Sequence, residues 1–141
     1  MKKTLLRVFF VSALFSTFLI SCKKDKDPAL EGKWEMTATG VYYFNSGAKV
    51  EGVNAPDLPS NFIIDLRGDG SGTATIGGET ENFTWKSEGN NQKISLMEST
   101  FHVKKLSDNE LFILLDPNDI GDEEEDITDQ TMTIGLTFKR L

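Results

Sequence analysis

Only one cysteine, Cys22, and one histidine, His102, occur in the 141 residues. These low counts argue against disulfides, metal centres and nucleophilic catalysis. A single thiol cannot close an intramolecular disulfide. A lone imidazole without a cysteine partner argues against a metal centre and against nucleophilic catalysis. Carboxylates are abundant in residues 122–126, but an exposed run of this kind does not shift pKa values as catalysis requires. We therefore expect no enzyme activity and no cofactor.

The sequence also lacks an apolar run long enough to cross a membrane comfortably. The longest, residues 8–20, has 13 residues where about 20 are needed, and it follows the basic residues Lys2, Lys3 and Arg7. A short apolar run behind a basic head is typical of a secretory signal. This signal ends in Leu-Ile-Ser-Cys at Cys22, which resembles the lipobox of bacterial lipoproteins.

The lipobox resemblance implies cleavage before Cys22 and acylation of its sulfur and its new amino group. Several acyl chains hold a protein on a membrane far better than one chain would. We therefore expect a signal peptide at 1–21, a lipidated cysteine with a charged tether at 22–29, and a single domain at 30–141. The membrane is then a partner through the lipid on Cys22, and the protein belongs to the bacterial cell envelope.

Acidic residues outnumber basic ones by 22 to 15, a net charge of −7. Removal of the signal, with three basic residues and no acidic ones, would leave 12 basic against 22 acidic residues, a net charge of −10. A surface this acidic argues against nucleic acid as a partner and against lying flat on anionic lipid.

After residue 28 no segment of ten or more residues has helical apolar spacing, and apolar residues alternate by two instead. The first run, 32–45, places Trp34, Met36, Tyr42 and Phe44 on one face. Such alternation predicts strands with one buried side. Seven further strands are predicted at 61–67, 72–77, 82–87, 92–98, 101–106, 110–115 and 131–140.

Short connections separate most of these strands, with turn signals at 68–71, 88–91 and 107–109. Short links favour antiparallel neighbours, and eight sequential antiparallel strands with one apolar face close most simply into an up-and-down barrel. The two long connections, 46–60 and 116–130, follow the first and seventh strands. Connections alternate between the ends of a meander, so we expect one loop-rich mouth and one tightly closed end.

The opening Gly32-x-Trp34, the hairpin FIIDLRGDGSGT, the segment FTWKSEGNNQKISL and the closing LTFKRL resemble the lipocalin-like domains of Bacteroidetes lipoproteins over about residues 30–141. The resemblance implies an eight-stranded calycin-like β-barrel on an outer-membrane lipoprotein. Lipocalins often stack a late arginine on the tryptophan, which here implies that Arg140 covers Trp34. Arg140 shares the inward parity of Phe138, which supports this barrel-closing pair.

Strand direction places a set of large apolar side chains inward near the mouth. They predict a pocket for a small apolar or aromatic molecule, but the same rings could fill a short barrel completely. A filled barrel would instead suggest a structural or interaction protein whose surface loops bind an unknown protein or envelope partner. The candidate ligand-binding residues are Tyr42, Phe44, Phe62, Phe83, Trp85, Phe101 and Met132.

The acidic connection 116–129 offers a partial calcium pattern at Asp116, Asn118 and Asp122, but isoleucines occupy the places where ligands matter most. A solvated acidic loop that repels anionic ligands from the mouth is the other interpretation. Phe112 and Leu114 are apolar residues with outward parity. They form either a partner interface or a surface that lies under a loop.

Overall fold

The computed structural model of the protein describes residues 29–55, 57–59, 61–121 and 126–141. Over these residues the chain forms eight strands and one short 3-10 helix, Pro117–Asp119. The strands are β1 (Gly32–Tyr43), β2 (Ile63–Leu66), β3 (Ser71–Ile76), β4 (Glu79–Glu88), β5 (Lys93–Leu96), β6 (Ser99–Leu106), β7 (Glu110–Leu115) and β8 (Met132–Arg140).

Each strand pairs antiparallel with the next one in sequence, and β1 pairs with β8, so the sheet closes into an up-and-down barrel. The predicted fold class is therefore confirmed. The turns after β2, β4 and β6 lie at one end, which we call the base. The connections after β1, β3, β5 and β7 lie at the other end, which we call the mouth, and both long connections are among them.

Every second residue of each strand faces the barrel interior. Completely or almost completely buried side chains come from six of the strands: Trp34, Ile64, Leu66, Ala74, Ile94, Leu96, Leu111, Ile113, Leu136 and Phe138. Partly buried Phe83 and Trp85 pack against them from β4. Because each buried side chain of this size contributes about 1.5–3 kcal/mol, this cluster is the main stabilising feature of the fold.

Two β-bulges interrupt the alternation. The register of β1 against β8 shifts between Met36 and Ala38, and that of β6 against β7 shifts between Val103 and Lys105. A bulge adds one residue to one strand, so the side chains beyond it point to the opposite face. The bulge in β1 therefore changes which residues of its second half face the interior.

Candidate functional site

Arg140 closes the base of the barrel. Its guanidinium donates to three backbone carbonyls, those of Asp108 at 2.6 Å from Nε, Glu31 at 2.6 Å from Nη1 and Ala29 at 2.5 Å from Nη2. Its central carbon lies 4.1 Å from the centroid of the Trp34 ring. A cation over an aromatic face at this distance contributes about 1–2 kcal/mol when partly desolvated. The contact that the resemblance implied is present.

Gly32 makes this arrangement possible. Its φ is +129°, a conformation that residues with a side chain rarely adopt, and a Cβ there would overlap Arg140 Nη1. Trp34, two residues on, has no exposed surface and donates its indole N–H to the Leu30 carbonyl at 2.7 Å. The Gly-x-Trp motif thus seals the base, so a ligand could enter the barrel only elsewhere.

Several inward-facing side chains of the barrel are only partly buried. Phe62, Phe83 and Phe101 face the interior in the strand register, yet all three are only partly buried. Met132 begins β8 with the same inward parity and is 50% exposed. These four candidates are thus inward in parity and partly reached by water, as are Met36, Val103 and Leu106 on the same interior face.

Trp85 lies deeper than those four residues. Its indole N–H is shared between the carbonyls of Arg67, at 2.9 Å, and Ser71, at 3.0 Å, beside the turn between β2 and β3. The ring of Phe83, two residues earlier, lies so close over Gly72 that any Cβ there would collide with it. Trp85 is therefore fixed by the base, whereas Phe83 stands above it on the same face of β4.

The expectation that Tyr42 and Phe44 face the interior is wrong, because the bulge at Thr37 reverses the parity of β1. Tyr42 pairs with Thr133, whose neighbours Met132 and Ile134 have inward parity, so Tyr42 lies on the outer face. Its ring packs closely over Gly135.

An outer cluster forms where these residues meet β6, β7 and β8; its members are Tyr42, Phe44, His102, Phe112, Leu114 and Thr133. The Tyr42 and Phe112 rings are 4.9 Å apart, and Phe44 meets the His102 ring edge-on at 4.8 Å. Leu114 has outward parity and no exposed surface. Leu114 is thus covered by the same chain and offers no surface to a partner, whereas Phe112 stays partly exposed.

His102 and Asp116 form the polar edge of the outer cluster, with His102 Nε2 2.8 Å from Asp116 Oδ2. Partial burial raises the pKa of the Asp116 carboxyl, but hydrogen bonds from His102 and from the Asn118 N–H outweigh this effect, and the pKa is lowered from its usual value. The Asp116 Oδ1 caps the 3-10 helix through that Asn118 N–H at 3.0 Å. Both carboxylate oxygens are therefore engaged within the chain.

The calcium pattern stays a prediction. Asp116 and Asn118 are joined by the helix cap, while Asp122 lies outside the described residues. Among residues 29–121 and 126–141, apart from positions 56 and 60, no group of three or more His, Cys, Asp or Glu is placed to hold a metal ion.

Two clefts open beside the mouth. One, of about 440 Å³, lies between the β7–β8 connection and the start of β8, and its walls include Pro117, Ile120, Asp126 and Met132. Another, of about 400 Å³, lies along β1 at the bulge, where Met36 meets the end of the β1–β2 connection. Both are open clefts on the surface, and Met132 is the candidate residue that lines one of them.

Two mouth residues, Glu79 and Glu81, were missed by the sequence interpretation. They pair with Ile76 and Ala74, so they belong to the interior face of β4, and both are exposed. The predicted strand began at residue 82 because charged residues broke the apolar alternation. Residues 79–82 contain no apolar side chain, so only the strand pairing with Ile76 and Ala74 identifies them.

The expected leader, Cys22 and the expected tether except for Ala29 lie outside the described residues. In the part of the chain that is described, no helix has the length and apolar character needed to cross a membrane. Comparison with family models, with curated proteins and with solved structures finds no match to this chain.

Proposed function

We propose that this chain is a lipid-anchored, extracytoplasmic protein of lipocalin-like architecture that binds one small apolar or aromatic molecule in the barrel mouth. The observation that carries the proposal is the incomplete sealing of the interior. Phe62, Phe83 and Phe101 face inward and remain partly accessible, while Trp34 and Phe138 at the base are buried. A closed floor beneath an accessible aromatic wall is the usual form of a small-molecule site.

The anchor is argued from sequence. The lipobox-like residues before Cys22 and the charged tether favour attachment to the cell envelope, at the outer membrane. The chain enters the barrel at Gly32, at the base. An anchor at that end would leave the mouth directed away from the lipid and open to a ligand.

Binding can be tested with N-phenyl-1-naphthylamine, a neutral aromatic probe whose fluorescence rises in apolar surroundings. We expect saturable binding to the purified domain, and we expect Phe83→Ala to weaken it about fivefold or more because one aromatic contact is lost. Ile63→Ala is the matched control, since Ile63 has outward parity on β2. Urea unfolding of both variants would verify that the barrel is intact.

The proposal fails if the wild type shows no saturable probe binding, or if Ile63→Ala weakens binding as much as Phe83→Ala does. One observation favours a second candidate function, a filled barrel that holds a protein or envelope partner through its loops. Ile120 and Ile127 are 53% and 41% exposed on the β7–β8 connection. Retention of a partner by a wild type that binds no probe would support that candidate.

A further inference from the structure

Exposed apolar side chains gather at the mouth. Of the eight large hydrophobic residues that are exposed in the described part of the chain, all but Leu141 belong to the mouth end. Five of them, contributed from all four connections or the strand ends beside them, define what we call the mouth rim. They are Leu58, Ile76, Met97, Ile120 and Met132, each 40–53% exposed. Ile120 and Met132 line one cleft together, and exposed apolar surface at one end of a protein is typical of a binding site.

The charges beside this rim are almost all negative. In the described residues of 44–62, 77–81, 97–98 and 116–131, Lys49 is the one basic residue and there are nine carboxylates. The sequence of the last connection adds four more acidic residues at 122–125. At the base, by contrast, Arg67 and Arg140 accompany Asp69 and Asp108. The negative charge of the protein is therefore concentrated around its apolar opening.

The inner face of β4 carries both acidic and aromatic side chains, at alternate positions of the strand. Residues two apart on a strand point to the same side, about 6.6 Å from each other. From mouth to base this face presents Glu79, Glu81, Phe83 and Trp85, two carboxylates followed by two aromatic rings. Glu79 and Glu81 are exposed, and Phe83 and Trp85 are partly buried. Of the described inward-facing residues near the mouth, these two glutamates are the charged ones.

We propose that the ligand is a cationic amphiphile, with its apolar or aromatic body against Phe83 and its ammonium group beside Glu79 and Glu81. This inference rests on the proposed function and adds the charge of the ligand. An anionic ligand with the same body would bring like charges together at the mouth, which opposes binding. A neutral ligand would lack the attraction that the two carboxylates exert on a cation.

The test compares three amphiphiles with the same twelve-carbon chain, below their micelle concentrations, as competitors of the neutral naphthylamine probe. They are dodecyltrimethylammonium, dodecyl sulfate and the uncharged dodecyl maltoside. At low ionic strength we expect the cation to bind about tenfold more tightly than the uncharged compound, and the anion to bind more weakly. Added salt should reduce the preference, since exposed charges are screened.

The double variant Glu79→Gln with Glu81→Gln should lose the preference for the cation and keep the affinity for the neutral probe. The matched control is Glu51→Gln with Asp57→Asn, which removes the same charge from the β1–β2 connection at the same end. The control should keep most of the preference.

The inference would be overturned if both double variants lost the preference for the cation equally. It would also be overturned if the wild type bound the cation and the uncharged compound with equal affinity. Either result leaves the proposed function intact as long as the neutral probe still binds. Absence of binding by the probe and by all three amphiphiles would instead reject the proposed function itself.

Discussion

Arg140 shows how much one side chain decides at the scale of a residue. Its planar guanidinium donates in three directions at once, to the carbonyls of Ala29, Glu31 and Asp108, while its face covers Trp34. Lysine could not do this, because its ammonium group is a compact charge without a flat face. The same guanidinium joins the segment before β1, the turn before β7 and the end of β8.

Gly32→Ala tests this arrangement directly. The substitution introduces strain at a φ of +129° and displaces Arg140, so we expect the free energy of unfolding to fall by about 3 kcal/mol or more. Gly47→Ala is the control, since Gly47 also has a positive φ, +69°, but nothing lies within 4 Å of the added methyl group. The control should lose about 1 kcal/mol. Equal losses in urea unfolding would contradict the crowding at Gly32.

Asp116 gives a prediction about pH. Its pKa is lowered in the folded protein, so the unfolded chain binds more protons and the contribution of Asp116 to stability is lost as pH falls below about 4. Asp116→Asn lacks this titration. In urea unfolding, the wild type should exceed the variant in stability near pH 6, and the difference should narrow as pH falls to 3. A difference independent of pH would disprove the role of the ionised carboxylate.

At the scale of the element, the bulge in β1 divides one strand into two parts with opposite parity. Before it, Trp34 and Met36 face the interior; after it, Val41 and Tyr43 have inward parity, and Tyr42 lies outside. The displaced Tyr42 covers Gly135 and Phe112, and with Phe44 it builds a second apolar cluster on the outer wall. That cluster ties the start of the β1–β2 connection to the barrel.

Leu114→Ala measures what the outer cluster contributes. Strand parity alone would class Leu114 as a surface residue, with a cost of about 0.5 kcal/mol on truncation. Because it has no exposed surface, we expect a loss of about 2–4 kcal/mol in urea unfolding, comparable to that of the interior Leu111→Ala. Leu58→Ala, at a position that is 42% exposed, is the control and should cost less than about 1 kcal/mol. A small effect at Leu114 would refute a covered outer face.

For the whole molecule, the mouth is apolar, acidic and flanked by long connections, whereas the base is sealed and carries compensating charges. Ala29, the last residue of the proposed tether, accepts a hydrogen bond from Arg140 at the base. A tether of seven or eight extended residues reaches roughly 25 Å, enough to hold the barrel clear of lipid headgroups. Repulsion between an acidic mouth and anionic lipid would favour the same orientation.

Protease access tests the anchor and this orientation together. The full-length wild type, processed in a bacterial host and reconstituted on vesicles, should gain the mass of acyl chains, and Cys22→Ala should not. Glu51 is exposed near the mouth, so a glutamate-specific protease should cleave the anchored chain there as fast as it cleaves residues 29–141 produced without the leader. Slow cleavage of the anchored form alone would show that the mouth faces the membrane.

The sequence by itself determined the strands, their antiparallel order, the closed barrel and the position of both long connections at one end. These properties follow from local causes, namely alternation by two and short turns, which can be seen in any window of ten residues. The pairing of Trp34 with Arg140 was also expected from parity and resemblance. The bulge in β1 follows Met36, so it does not change the parity of Trp34 or of its partner.

Only the tertiary structure decided which large side chains line the mouth. A bulge depends on how one strand fits its neighbours and leaves no mark in the alternation, so Tyr42 and Phe44 were expected inside and Leu114 could not be assigned. Glu79 and Glu81 were missed for the opposite reason, since charge at an inward position is tolerated where the barrel opens to water. Parity is a local property, but burial depends on what the rest of the chain places above each face.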